Sequence, residues 1–340
     1  MTNKEKARER REKRMQEISL LRTIPYSDHQ RWWSSENVVA VVTGSNRGIG
    51  LEIARQLASH GLTLVLTARN VDAGLEAVTS LSLQQGLKVD FHQLDVTDAS
   101  SIKEFGCWIK QTFGGLDILV NNAGVNYNLG SDNSVEFAET VVSTNYHGTK
   151  NMIKAMIPLM RPSPQGARIV NVSSRLGRVY GRRNVSKLLS LLLSLSFSFR
   201  LILHMLLQRL ANVELRDQLS NPDSLTEELL DRTVSTFIEQ VKDGTWESGG
   251  WPQTFTDYSI SKLAVNAYTR MIAKELSTRQ EGEKIYVNSF CPGWVKTAMT
   301  GFAGNMSPED AADTGVWLSL VLSEEAVTGK FFAERREINF

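Results

Sequence analysis

Cysteine is almost absent from this chain: two residues in 340, Cys107 and Cys291, with no CxxC pair. That excludes a disulfide framework and fits a reducing compartment, so a cytoplasmic location is expected. No cysteine–histidine cluster has zinc-site spacing, and no metal is expected. Net charge is also scarce, +1 from 38 basic and 37 acidic residues. No global field therefore argues for a nucleic-acid partner. No apolar core follows the first residues, which excludes a secretory signal. There is no internal repeat. Residues 1–17 do carry charge, with Lys4, Lys6, Arg8, Arg10, Arg11, Lys13 and Arg14 set among Glu5, Glu9, Glu12 and Glu17. The acids argue against an organelle transit peptide. Opposite charges at i,i+3 and i,i+4 support a solvated helix. A partner-docking or membrane-surface helix stays open as a second reading.

With 24 glycines and 41% hydrophobic residues, the chain can build one large α/β domain or two small ones. Apolar runs at 38–42 and 62–67 read as strands, and 88–94, 117–120, 169–172 and 285–290 also suit strands. Segments 49–59, 73–84, 100–113, 135–159 and 258–276 read as helices. Such alternation predicts a doubly wound parallel sheet with helices on both faces. A charged extension, 1–35, precedes a single domain, 36–340. Ligands of such sheets bind beyond the carboxyl ends of the strands. Every motif below falls there or on the helix that follows.

Thr43-Gly44-Ser45-Asn46-Arg47-Gly48-Ile49-Gly50 follows the first strand and opens a helix. Its glycines let the backbone approach a pyrophosphate, and the helix N-terminus favours the negative charge. An NAD site usually ends its second strand in an acid for the ribose 2′-hydroxyl. Here that strand ends Thr67-Ala68-Arg69, and Arg47 lies in the loop nearby. Two guanidinium groups can pair with a 2′-phosphate, which a carboxylate would repel. The expected cofactor is NADP(H).

Tyr258 and Lys262 stand four apart, on one face of the predicted helix. A free phenol, with a pKa near 10, is a poor proton shuttle at neutral pH. A neighbouring ammonium favours the phenolate and is expected to lower that pKa. The phenol is then better matched to general acid–base work.

Five motifs now stand in order: Thr43 to Gly50, Asn121-Asn122-Ala123-Gly124, Asn171-Val172-Ser173-Ser174, Tyr258 to Lys262, and Pro292-Gly293. Together they resemble the short-chain dehydrogenase/reductase family, over roughly residues 36–340. The resemblance implies a Rossmann fold and a ketone or aldehyde reduced to an alcohol, or the reverse. It makes Tyr258 the catalytic acid or base, and has Ser174 hydrogen-bond the substrate oxygen. Lys262 would hold the nicotinamide ribose and tune Tyr258. Asn145 would complete a tetrad through a water on Lys262. Asp95, beside Val96, would meet the adenine ring, and Asn122, Ala123 and Gly124 the adenosine ribose side. Val295 and Thr297, after Pro292-Gly293-Trp294, would hold the carboxamide. Ser173 reads as structural and Cys291 as a small core residue.

Far more chain separates Ser174 from Tyr258 than in most of the family. An insertion there, 175–256, resembles the carbonyl reductase branch, which includes plant menthone-type and alkaloid-ketone reductases. So do Glu247-Ser248-Gly249-Gly250-Trp251-Pro252 and Cys291-Pro292-Gly293-Trp294-Val295. In that branch the insertion covers the helix face used for oligomerisation and lines the substrate mouth, so a monomer is expected. The alternative function is a catalytically disabled splice isoform or a nonenzymatic NADP(H)-binding sensor.

Residues 185–208, VSKLLSLLLSLSFSFRLILHMLLQ, are dominated by Leu and Ser. The run is long enough to span a bilayer. Arg200 inside it would cost about 2.5–3.5 kcal/mol at the centre of a span. A span would also thread the membrane through one catalytic core, so a membrane partner is not expected. A second reading is an added lid helix, apolar on nearly all sides. The preferred reading is a translated retained intron. Val-Ser can encode a splice donor, Gln an acceptor, and Leu, Ser and Phe codons a pyrimidine tract. Transcript sequence decides it.

Overall fold

A computed structural model describes residues 3–23, 32–33, 37–127, 134–180 and 210–340. The segment 185–208 lies outside the described residues. Among those described, eight strands form one sheet. They are β1 (Val39–Val42), β2 (Thr63–Ala68), β3 (Val89–Gln93), β4 (Ile118–Asn121), β5 (Ala167–Val172), β6 (Ile285–Phe290), β7 (Phe331–Ala333) and β8 (Arg336–Glu337). Their order is β3-β2-β1-β4-β5-β6-β7-β8. β8 pairs antiparallel with β7; the other pairings are parallel. β1, β4 and β5 are buried at every residue. That is why they read as continuous apolar runs rather than as alternating patterns.

The helices are α1 (Asn3–Thr23), α2 (Gly48–Ser59), α3 (Val71–Gln85), α4 (Ala99–Phe113), α5 (Val135–Val142), α6 (Thr149–Met156), α7 (Val213–Ser220), α8 (Glu227–Lys242), α9 (Thr256–Leu276) and α10 (Pro308–Leu320). Their ends follow local chemistry. Asn70 Oδ1 accepts from Ala73 N to start α3, and Gly86 closes it in the left-handed conformation. Asp98 caps α4, and Gly114 ends it in the same way.

Successive strand residues pack on opposite faces. Ala40, Val42, Leu64 and Leu66 meet Ile53 and Leu57 of α2 and Val316 and Leu320 of α10. Val39, Val41, Val65 and Leu119 belong to the other cluster, with Phe105 and Ile109 of α4 and Leu263 and Ala267 of α9. The period-2 alternation of a strand thus feeds two cores from one sheet. α8 packs on α5 and α9, with Leu229, Leu230, Val234 and Phe237 buried.

Residues 135–159 are helical throughout, as the pattern predicts, but the helix is not uniform. A π turn, Ser143–Gly148, separates α5 from α6, and a 3-10 turn, Ile157–Leu159, ends the run. A π turn adds a residue without changing the apolar pattern much, so periodicity does not see it.

The N-terminal helix is also more than a solvated rod. Arg8 and Glu12 pair along it at i,i+4 as the charge pattern suggested. Ile18 is buried, however, and Arg22 pairs with Asp310 on α10. Arg14 reaches Glu334, 2.8 Å away, in the two-residue turn between β7 and β8. Glu334 and Arg335 both take left-handed φ values, 56° and 54°, as a tight hairpin turn requires. Glu334 also lies 3.6 Å from Arg175.

Candidate active site

Strand ends and the loops after them converge at the point where sheet order reverses about β1, the usual ligand crevice of such sheets. Gly44 and Gly48 have φ of 58° and 60°, a region side chains rarely adopt. A Cβ on Gly44 would stand 2.9 Å from Ala123 Cα, and one on Gly50 2.3 Å from Asn122 Nδ2. The loop and the segment after β4 are thus fitted to each other. Asn122 Nδ2 donates to the carbonyls of Thr43 and Gly44, each at 2.9 Å. Thr43 Oγ1 accepts from the amides of Asn122 and Ala123, each at 3.0 Å. Ser45 is fully buried, and its hydroxyl donates to Val42 O and accepts from Thr67 N. It braces the loop against β1 and β2. Asn46 is half-buried, and Ile49 packs its side chain into the core behind the loop.

The first turn of α2 carries no acid, and Arg47, its N-cap, makes no side-chain capping bond. Its amide groups and dipole are therefore left to an anion. Arg47 and Arg69 are both exposed, and neither guanidinium is in an ion pair with a described residue. A glycine cradle, an uncapped helix start and two free cations fit a dinucleotide with a 2′-phosphate. Across the cleft, Thr297 Cγ2 would be 3.4 Å from a Cβ on Gly48. Val295 is buried, and its carbonyl accepts from Thr297 N at 2.9 Å. Pro292 is half-buried, and Gly293 turns the chain at φ 97°. Asp95 accepts from both the amide and hydroxyl of Thr97, so its carboxylate is fixed in a turn. Val96 packs against Gly148, where a Cβ would come within 2.8 Å.

Asn145, Ser174, Tyr258 and Lys262 come together beside this cleft. Ser174 sits close enough to the Tyr258 phenol to pull its pKa down, and its own Oγ accepts from Leu176 N at 3.1 Å. Lys262 Nζ donates to Val172 O at 2.8 Å and lies 5.7 Å from the Tyr258 ring centre. Gly124 is the meeting point of the other two. A Cβ there would stand 3.1 Å from Asn145 Oδ1 and 3.5 Å from Lys262 Nζ. Asn145, in the π turn, donates from Nδ2 to Ser261 Oγ at 3.0 Å, and Ser261 Oγ donates to Tyr258 O at 2.8 Å. Its Oδ1 accepts from Val125 N, and its Nδ2 also donates to Val125 O. Ser173 Oγ donates to Lys262 O.

The electrostatics correct the sequence expectation for the phenol. Burial raises the Tyr258 pKa above its ordinary value, and the Cys291 sulfur adds to this, while the Ser174 hydrogen bond pulls it down. Desolvation dominates here; Lys262 Nζ spends one of its three N–H donors on the Val172 carbonyl. Burial in turn pushes Lys262 down to about 8.

Sequence reasoning passed over several residues of the site. Gly177 is one: a Cβ there would stand 2.3 Å from the Lys262 carbonyl carbon. The short turn after Ser174 thus rests directly on the backbone of α9. A glycine three places after a serine at a strand end was the available signal. Asn171 is another, bonded to Asn121 and to Thr269 of α9, each at 2.9 Å. Its place in a motif was visible, but its partner on α9 was not.

The family model for short chain dehydrogenase matches residues 38–186 and 250–307. Bovine carbonyl reductase [NADPH] 1 is 36% identical over 310 residues, 90% of this chain and 100% of its own. (+)-Neomenthol dehydrogenase of Arabidopsis thaliana is 35% identical over 323 residues, 88% of this chain and 97% of its own. The structure of salutaridine reductase from Papaver somniferum superposes with a TM-score of 0.71 at 33% identity. That match covers 87% of this chain and 99% of the reductase.

Proposed function

The chain belongs to the short-chain dehydrogenase family of oxidoreductases, and from that membership we propose that it is an NADP(H)-dependent carbonyl reductase with Tyr258 as proton donor. The observation that carries the reading is the convergence at the cleft of Tyr258 with a buried Lys262, whose Nζ lies 5.7 Å from the phenol ring centre. The phenol is protonated at neutral pH, the form a proton donor needs, and burial in the absence of cofactor makes it a weaker acid than a free phenol. Tyr258 gives its proton to the carbonyl oxygen. The Ser174 hydroxyl donates a hydrogen bond to the same oxygen and stabilises the charge that grows there. NADPH, when bound, supplies the hydride. Gly44, Gly48, Gly50 and the start of α2 would hold its pyrophosphate, Arg47 and Arg69 its 2′-phosphate, and Lys262 its ribose. Asn122, Ala123, Gly124, Asp95 and Val96 would line the adenosine side, and Val295 and Thr297 the carboxamide.

Trp294, Met299 and Phe302 are exposed on the segment after β6. Exposed apolar groups beside a cleft favour a bulky apolar ketone. NADPH consumption over a panel of such ketones tests the reading, and no turnover with any of them would overturn it. The protein is a monomer in this proposal, because α8 covers α5 and α9. Size-exclusion chromatography checks that. Among the described residues, no helix is long and apolar enough to cross a membrane. The unpaired Cys107 and Cys291 support a cytoplasmic site of action.

Two measurements probe the cofactor. Arg69→Asp should cut kcat/KM for NADPH at least about tenfold and leave that for NADH unchanged or higher, since a carboxylate repels the 2′-phosphate. Equal use of both cofactors by the unaltered protein would defeat the NADP(H) assignment. The second is a pH profile. Lys262 is lowered to about 8, so it loses its charge as pH rises through that value. The charged form is the one that binds the ribose. kcat/KM for the cofactor, which reports groups of the free enzyme, should be level below about pH 8 and fall above it.

A further inference from the structure

The catalytic reading leaves unused a partly buried charged cluster at the π turn. Lys150, at the start of α6, is 7% exposed. Its Nζ lies 2.6 and 2.8 Å from the two carboxylate oxygens of Asp231, on α8 of the insertion. Glu227, one turn earlier on α8, lies 3.2 Å from the same ammonium. The fully buried Tyr146 donates its hydroxyl to Asp231 Oδ1 at 2.9 Å. Tyr146 follows Asn145 directly, inside the π turn Ser143–Gly148. π turns are rare and occur at functional sites, where surrounding contacts hold them. Asp231 thus grips the turn at Tyr146 and two residues beyond its end, at Lys150. Within the turn, Asn145 bonds Ser261, which bonds the carbonyl of Tyr258.

We propose that Asp231 is a positioning residue for catalysis: by holding Tyr146 and Lys150 it fixes the π turn that presents Asn145 to the Tyr258–Lys262 helix. The insertion then acts on the rate of the chemical step and not only on substrate entry. This rests on the reading of Asn145 and Tyr258 as catalytic. Asp231 touches no reacting atom; it acts through Asn145. A simple docking role is distinguishable, because Lys154 and Glu227 join the same two helices by an exposed pair at 2.6 Å that does not touch the turn.

The full-length protein is assayed with NADPH and a ketone it turns over, with Tyr258→Phe as reference. Asp231→Asn and Tyr146→Phe are each expected to lower kcat about tenfold while KM for NADPH stays within about twofold, the signature of a misplaced catalytic group in an intact cofactor site. The double variant should be no worse than the poorer single one, since both act on one turn. Asp231→Glu should recover part of the loss, and Lys154→Ala should leave kcat unchanged. If Asp231→Asn does not fold, Tyr146→Phe, which removes one oxygen, decides alone. Unchanged kcat in the folded variants would overturn the proposal, as would an equal loss in Lys154→Ala. Retained turnover in Tyr258→Phe would instead overturn the catalytic reading beneath it.

Discussion

Replacing Tyr258 with Phe is expected to cost about 10²–10⁴-fold in kcat, the usual worth of a positioned general acid, with NADP(H) affinity changed less than about twofold. So large a loss is expected because, among the described residues, no other group stands ready to donate. Ser174 lies beside the phenol, but an aliphatic hydroxyl is a weaker acid. Lys262 is buried and directs its proton to Val172 O. The argument for intact binding is spatial. The cradle of Gly44, Gly48 and Gly50 is braced by Asn122 and Thr43, and none of these bonds involves the phenol. Single-turnover rates and cofactor fluorescence titration separate the two effects. Retained turnover in the variant would refute the role of Tyr258.

Gly177→Ala is expected to be nearly as damaging, by another route. The new Cβ would meet Lys262 C at 2.3 Å, Lys262 O at 2.5 Å and Leu263 N at 2.6 Å. All three are backbone atoms in the middle of α9, which cannot move aside as a flexible side-chain tip can. The turn holding Ser174 must therefore lift away from the helix holding Tyr258. We expect kcat to fall about 10²-fold, as misplacement near 1 Å can cause, together with a lower melting temperature from the overpacking. Asn266 Nδ2, which donates to Gly177 O at 3.0 Å, should lose its partner in the same step. Unchanged kcat and melting temperature would show that the turn has room the structure denies it.

The sheet was legible in the sequence because its central strands are buried on both sides. Runs such as Val39–Val42 and Ile118–Asn121 stand out without any periodicity argument. The glycine loop was legible because three residues without side chains, Gly44, Gly48 and Gly50, cluster where a strand passes into a helix. Less legible was whatever depends on a partner distant in sequence. The Asp231 contact to Lys150 joins positions 81 apart and shows in no local pattern. The bond between Asn171 and Thr269 spans 98 positions. The π turn hid inside an ordinary helical pattern. The phenol pKa was misjudged for a related reason. Spacing placed an ammonium near Tyr258, but it could not say how deeply both would be buried or where the ammonium would point. Burial of α1 against α10 and the β7–β8 turn was equally invisible, since its sequence is dominated by exposed charge.

That docking has a practical side. Glu334 accepts Arg14 from α1 on one flank and faces Arg175, the residue after Ser174, on the other. A single carboxylate therefore couples the first helix of the chain to the wall of the reaction chamber. Residues 3–23 lie far from Ser174 in sequence, yet Glu334 links Arg14 of that helix to the residue that follows Ser174. Trimming them is a change to the electrostatic setting of Arg175, not the removal of an idle leader, and dissolved salt reaches the same place by screening the exposed half of that relay.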